Sequence, residues 1–498
     1  MHIHIVGIGG TFMGGIAILA RQAGHRVSGC DMNIYPPMSD QLAQQDIELI
    51  TGYDAKQIEI GADQYIIGNA LSRGNPLVEA ILDHNLSYIS GPQWLYENIL
   101  RDKWVLAVAG THGKTTTTSM LTFLLDEMGL KPGFLIGGIA KNFGVSARLS
   151  QSKYFVVEAD EYDTAFFDKR PKFIHYHPHT LILNNLEFDH ADIFQDLAAI
   201  QTQFHYLVRT VPSQGRIIFN QEDAALKTVL DRGCWSHIEK FNDLSEWSIS
   251  KNDNEKANKN DSLNTDKSNY SNLVSIHFKG QRLGKLNWQW QGQHNLSNML
   301  AAIAAANHIG IDIKKGIKAL ENFAGVKRRM ELLATIKGIN VYDDFAHHPS
   351  AIETTIAGLR AILNNKNLPA IKAYEAFCNS AQSVNCITDN QTASRIIVLL
   401  EIRSNTMKLG VLKEKLIHAL NDADLIFVYG HTEGKNAIRW NLAQALTPLG
   451  NRAQSFDQVD ILLANLLIEI RSDDHIVVMS NGSFDGIHQK LIDKLKVF

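Results

Sequence analysis

Cysteine is scarce in this chain: Cys30, Cys234, Cys378 and Cys386 are the four among 498 residues. Their scatter excludes a disulfide framework and offers no Cys-x-x-Cys metal site, so free thiols in a reducing cytoplasm are expected. Long apolar runs are missing too; none approaches the ~18 residues that a membrane span requires. Charge of one sign is not in excess. The 48 basic and 52 acidic residues leave a net charge of −4, which demands neither nucleic acid nor an anionic membrane as a partner. The opening MHIHIVGIGG lacks the basic stretch and cleavage pattern of a secretory leader and reads as a buried strand entering a glycine turn. What is present forms cores: 45% hydrophobic against 20% charged residues excludes a mainly disordered chain. At ~150 residues per domain, the length predicts about three domains. Small-molecule substrates, no nucleic acid, no membrane insertion and a cytoplasmic location are expected.

Strands and helices alternate in three α/β regions, with boundaries placed at 1–103, 104–325 and 326–498. IHIVGI (3–8) runs into Gly9, Gly10, Gly14 and Gly15, then a helical pattern, then RVSGCD ending in Asp31. A second strand–loop–helix unit begins at Trp104. Strands are predicted at 65–71, 154–158, 180–184, 396–401, 424–429 and 475–479, and a helix over roughly 296–308. The polar stretch 251–272 and the weakly patterned 366–394 read as insertions.

The sharpest local signal is Gly110-Thr111-His112-Gly113-Lys114-Thr115-Thr116 between an apolar strand and a helix. Backbone N–H groups of such a loop converge on phosphate oxygens, and the helix N-terminus adds positive potential. Lys114 would neutralise the β- and γ-phosphates of ATP, and the Thr115 hydroxyl would ligate Mg²⁺. The strict G-x-x-x-x-G-K-[ST] pattern is not met, because Val108 stands at its first glycine. Glu158 ends a strand and is followed by Asp160, Glu161 and Asp163, a place where carboxylates hold Mg²⁺. Asn184, Asn185, Asp189 and His190 follow another strand, with His190 a candidate second metal ligand. The Gly7-x-Gly9 turn and Asp31 suit a dinucleotide or the pyrophosphate of a UDP-sugar, although Phe12 replaces the third fingerprint glycine. Lys327-Arg328-Arg329 is compact and basic, and an arginine there suits a transferring phosphoryl group. Arg403-Ser404-Asn405 offers a grip for a carboxylate, and Asp343-Asp344-Phe345-Ala346-His347-His348 packs ionisable groups after a strand.

Taken in order, GTHGKTTT (110–117), EADEYD (158–163), LNNLEFDHAD (183–192), GQHNLSN (292–298), RRMELL (328–333) and DDFAHHP (343–349) resemble the Mur ligase superfamily, ATP-dependent amide-forming enzymes of bacterial peptidoglycan synthesis. GTFMGGIAILARQAGH, IIGNALSRGNP, FFDKR, RSNTMKLG and MSNGSFDGIHQKL narrow the resemblance to members that attach a whole peptide to UDP-N-acetylmuramate in peptidoglycan recycling. The resemblance implies three domains: a Rossmann-like N-terminal domain for the UDP-sugar, a central P-loop ATPase domain, and a Rossmann-like C-terminal domain for the amine substrate. It implies UDP-sugar contacts from Gly9, Gly10, Thr11, Phe12, Met13, Gly14, Asp31, Asn69, Ser72 and Asn185. ATP would meet the 110–116 loop, Asn295, Arg329 and Asp344; Mg²⁺ would meet Thr115, Glu158 and His190. His348, Arg403 and Asn405 would meet the peptide, the tripeptide L-alanyl-γ-D-glutamyl-meso-diaminopimelate. Lys114, Glu158, His190, Arg329 and Asp344 form the implied catalytic set. The carbamylated lysine of several members has no counterpart here, since the corresponding count reaches His205. Ligation of a single amino acid such as L-alanine stays open, as do an NAD-dependent oxidoreductase and an ATPase switch that makes no bond.

Overall fold

The computed structural model describes residues 1–34, 36, 38–251, 273–290, 292–364, 394–434 and 437–498. Residues 252–272 and 366–393, the bulk of the two expected insertions, lie outside the described residues.

The first sheet is built from β1 (His2–Val6), β2 (Arg26–Asp31), β3 (Glu48–Thr51), β4 (Gln64–Ile67) and β5 (Tyr88–Ser90), all parallel, in the order β3-β2-β1-β4-β5. All five residues of β1 are buried, as a central strand covered on both faces requires. The chain order reverses beside β1, so its carboxyl end opens a crevice between β2 and β4, where such sheets bind ligands. Gly7–Gly10 and Gly68–Asn69 occupy that edge.

The second sheet has ten strands. Its parallel centre is β12 (Thr180–Leu183), β6 (Trp104–Ala109), β9 (Tyr154–Ala159) and β7 (Gly133–Leu135). β8 (Ala147–Arg148) closes one end; β13 (Arg216–Asn220), β14 (His237–Phe241), β15 (Trp247–Lys251), β16 (Leu273–Phe278) and β17 (Gln281–Asn287) extend the other. β15 and β16, which flank the first insertion, pair antiparallel. A small hairpin, β10 (Asp163–Ala165) with β11 (Asp168–Pro171), stands apart from the sheet. The helix Gln293–His308 starts three residues before the predicted span; its buried alanines allow close contact with the helix Lys114–Glu127.

The third sheet orders β18 (Glu331–Ile336), β19 (Ile339–Asp344), β23 (His475–Met479), β20 (Ile396–Glu401), β21 (Leu425–Tyr429) and β22 (Ala453–Phe456), parallel except for β18. One apolar cluster runs from the first sheet into the second, joining Met13, Ile16 and Leu42 to Leu135, Ala147, Phe155 and Phe173. The third sheet has its own two clusters, one on each face.

Candidate active site

The carboxyl ends of β1, β6, β9, β12 and β19 face a common cavity of about 2160 Å³ to which all three regions contribute. Its floor is the loop after β6. Gly110 (φ 145°) and Gly113 (φ 79°) adopt backbone conformations that side chains disfavour. A Cβ at Gly110 would also lie 3.0 Å from the Asn185 carbonyl oxygen. Gly113 starts the helix Lys114–Glu127 with no side-chain cap, so its first N–H groups remain free for an anion. Lys114 is nearly buried, and its Nζ donates to the Gly110 carbonyl at 2.6 Å and to Glu161 Oε2 at 2.9 Å. Burial pushes this amine down, but the Glu161 and Asp160 charges outweigh it and hold it above its usual range.

Thr115 Oγ1 donates to Glu158 Oε1 at 2.9 Å, and Gly137 N–H donates to Oε2 at 2.6 Å. Burial and then the neighbouring Asp160 push Glu158 above the ordinary carboxylate range. Two adjacent hard oxygen donors, one destabilised as an anion, fit Mg²⁺, which favours oxygen ligands. His190 stands at φ 56° with its Nε2 3.2 Å from Glu161 Oε1. Burial pushes the imidazole down, but the hydrogen bond and charge of Glu161 raise it above its usual value. His190, the third expected Mg²⁺ ligand, thus stands beside Glu161, one carboxylate away from Lys114. Glu161 itself was not singled out from the sequence; it is 2% exposed, held at about 2 against burial chiefly by Lys114, and joins Lys114 to His190. Its signal was present, but three nearby carboxylates carry the same signal.

On the first-sheet side, Gly9, Gly10, Thr11, Phe12, Met13, Asp31 and Asn69 line the cavity. Asp31 is engaged within the protein: Gly9 N–H donates to Oδ2 at 2.9 Å, and Tyr53 Oη donates to Oδ1 at 3.0 Å. Two expected residues do not line it. Gly14 lies inside the helix Thr11–Gln22, where a Cβ would meet Met38 Sδ at 2.1 Å, so it serves packing. Ser72 lies beyond the wall, which ends with Gly68, Asn69 and Ala70. Asn185 lines the cavity, but its side chain clamps the phosphate loop, accepting from His112 N–H at 2.8 Å and donating to the His112 carbonyl at 3.1 Å. Thr111, His112, Thr116 and Asn295 share the wall; Gly110 lies beneath it.

The third region brings Arg329, Asp344 and His348 to the same cavity. An Arg329 guanidinium nitrogen lies 3.5 Å from Thr115 Oγ1. Asp344 accepts from Met330 N–H at 2.7 Å and Ala346 N–H at 2.8 Å, and so shapes the turn that presents Arg329. Burial drives both His347 and His348 down to about 4, leaving neutral imidazoles at pH 7. His112, Glu187 and His348 gather ligand-type atoms within 4.8 Å of one another, and Ser350 Oγ donates to Glu187 at 2.6 Å. Arg403 and Asn405 are not on the cavity wall. Asn405 Nδ2 instead donates to Asp192 Oδ2 at 2.7 Å, tying the third region to the second. His205 also lies off the wall, its ring centroid 6.2 Å from that of Trp235.

The described family models match in the same order as the three sheets. The Mur ligase family catalytic domain covers residues 2–103, the Mur ligase middle domain 108–306, and the Mur ligase glutamate ligase domain 328–372. The UDP-N-acetylmuramate–L-alanyl-γ-D-glutamyl-meso-2,6-diaminoheptandioate ligase of Escherichia coli (strain K12) is 49% identical over 495 residues, covering 99% of this chain and 98% of that protein. The Haemophilus influenzae protein of the same description is 46% identical over 496 residues, covering 100% and 99%. The crystal structure of a murein peptide ligase from Psychrobacter arcticus 273-4 superposes with a TM-score of 0.73 at 39% identity, covering 100% of this chain and 99% of that one.

Proposed function

The chain belongs to the Mur ligase family, and from that premise we propose that it joins L-alanyl-γ-D-glutamyl-meso-diaminopimelate to UDP-N-acetylmuramate in peptidoglycan recycling. It is an ATP-dependent amide-bond-forming ligase. The observation that carries the reading is the single cavity: the glycine loop after β1, the phosphate loop after β6 and the Arg329–His348 segment all open into it. The tripeptide is the substrate named for full-length relatives at 49% and 46% identity.

The chemistry follows from charge. A carboxylate is a poor acyl donor because oxide would have to leave. Transfer of the γ-phosphoryl group to the muramoyl lactyl carboxylate gives an acyl phosphate whose leaving group is phosphate. Two anions must approach for that step. Lys114, Arg329 and the free N–H groups of the helix Lys114–Glu127 supply fixed positive potential where charge gathers. Thr115 and Glu158 would hold Mg²⁺, which neutralises phosphate charge when bound. The peptide's α-amine then attacks the acyl carbon, and the tetrahedral intermediate expels phosphate. The amine must shed a proton; His347, His348 and Asp344 are the candidate acceptors on the third region's side of the cavity.

The test is phosphate release from ATP with Mg²⁺ and UDP-N-acetylmuramate, with one amine added at a time and the product weighed by mass spectrometry. Release with the tripeptide, and not with L-alanine or L-alanyl-γ-D-glutamate, is expected. A preference for L-alanine would move the enzyme to single-residue ligation, and release without any amine would contradict ligation.

A further inference from the structure

Pro171 ends β11, and the next residue, Lys172, opens a short helical turn, Lys172–His175. The main chain here is tied to the acidic exit of β9. Lys172 N–H donates to the Tyr162 carbonyl at 2.9 Å, and Phe173 N–H donates to the Asp160 carbonyl at 3.3 Å. This anchoring aims a lysine side chain inward: the residue is 7% exposed and lines the cavity.

Its ammonium occupies the junction of two sites. It lies 4.7 Å from the ring centroid of Phe12, on the glycine loop, and 5.5 Å from that of Tyr162. It is 3.6 Å from Asp160 Oδ2, while Asp160 Oδ1 lies 3.9 Å from Lys114 Nζ. One carboxylate thus separates two ammonium groups, Lys114 on the phosphate-loop side and Lys172 on the glycine-loop side. Their surroundings differ. Lys114 is saturated by Gly110, Thr111 and Glu161, whereas Lys172 makes no side-chain hydrogen bond among the described residues. A nearly buried ammonium with one partner beyond hydrogen-bond distance leaves donors aimed at the cavity, and an anion there would recover the lost solvation.

We propose that Lys172 is a carboxylate-binding residue that receives the lactyl carboxylate of the UDP-sugar as it passes from the Phe12 loop toward Lys114. The assignment rests on the ligase reading above. The ligand class follows from position: the sugar is held on the Phe12 side, ATP on the Lys114 side, and the group that must bridge them carries one negative charge. Lys172 would also favour a muramyl nucleotide over one lacking the lactyl acid.

The experiment is calorimetric titration of the full-length protein and of Lys172→Met and Lys172→Arg with two nucleotides. UDP-N-acetylmuramate carries the lactyl carboxylate; UDP-N-acetylglucosamine keeps the uridine, pyrophosphate and amino sugar without it. Lys172→Met is expected to weaken UDP-N-acetylmuramate binding about tenfold or more, the scale of one charge-assisted hydrogen bond, and to leave UDP-N-acetylglucosamine within about twofold. Lys172→Arg should recover most of the loss, and the KM for ATP should hold while that for UDP-N-acetylmuramate rises. Equal weakening of both nucleotides, or no change in either, would overturn the assignment. A wild-type protein that binds neither nucleotide would instead overturn the ligase reading.

Discussion

The seam between the first and second sheets is apolar, and the seam between the second and third is polar. Across the first, the helix Thr11–Gln22 packs directly on β7 and β8, so closely that a Cβ at Gly15 would lie 2.2 Å from Leu135 Cδ1. Gln41 Oε1 adds bonds from Ser146 N–H at 2.8 Å and Oγ at 3.0 Å. Across the second, no apolar cluster is shared among the described residues. The contacts there include Asn405 to Asp192, Thr406 Oγ1 accepting from Ala191 N–H at 3.0 Å, Ser350 to Glu187, Lys141 to Glu331 at 3.0 Å and Arg329 to Thr115 at 3.5 Å. Water can replace polar contacts at small net cost, but it cannot replace a buried apolar face. The glycine loop after β1 and the phosphate loop are therefore held in register by an apolar joint, whereas the joint to the third region is the less costly one to open. That division suits a reaction whose acid and ATP must be aligned while the peptide enters last and water is kept out.

The largest expected effect falls where both seams converge. Lys114→Met removes the ammonium at the phosphate loop and should cut turnover by a factor of about a thousand or more, measured as phosphate release; near-normal turnover would remove the phosphate-loop assignment. Acid comes next, because it acts on buried histidines in all three regions. Burial pushes His4, His294, His308, His347, His348 and His475 to about 4 from 6.5. The unfolded chain binds more protons between those values, so stability is full above 6.5 and falls as pH drops toward 4. Each histidine contributes at most about 3 kcal/mol. Glu161, Glu187 and Asp189, held near 2, lose their contribution only as pH falls below the ordinary carboxylate range. Melting temperature should therefore decline between pH 6.5 and 5; a flat profile there would refute the burial argument.

Smaller effects separate the two seams. Gly15→Val overfills the apolar one and should cost about 1–3 kcal/mol in denaturant unfolding, with the first and second regions no longer melting together. Asn405→Ala with Lys141→Ala removes two exposed contacts of the polar one and should move stability by only about 0.5 kcal/mol. It should raise the peptide KM severalfold in steady-state assays. A large loss of stability in that double variant, or none in Gly15→Val, would invert the comparison.

Much of this arrangement was legible in the residues. Apolar strands running into glycine loops marked β1 and β6, and carboxylates at the exits of β9 and β19 marked the far side of the cavity. Where the structure gives an expected site residue another partner, one residue type serves two physical needs. Gly14 and Gly15 look like a phosphate loop but make room for Met38 and Leu135. Asn405, off the cavity wall, donates to Asp192, and Asn185, on the wall, bonds the His112 backbone. Such pairings depend on residues more than 70 positions apart, 213 in the case of Asn405, and no local pattern records them.

The central claim is that the cavity activates a carboxylate as an acyl phosphate before the amine arrives. Its most direct test is UDP-N-acetylmuramate carrying ¹⁸O in the lactyl carboxylate, turned over with ATP and the tripeptide, with the released phosphate weighed by mass spectrometry. The account predicts that one carboxylate ¹⁸O appears in each phosphate released. Phosphate free of the label, alongside normal formation of the amide, would contradict it.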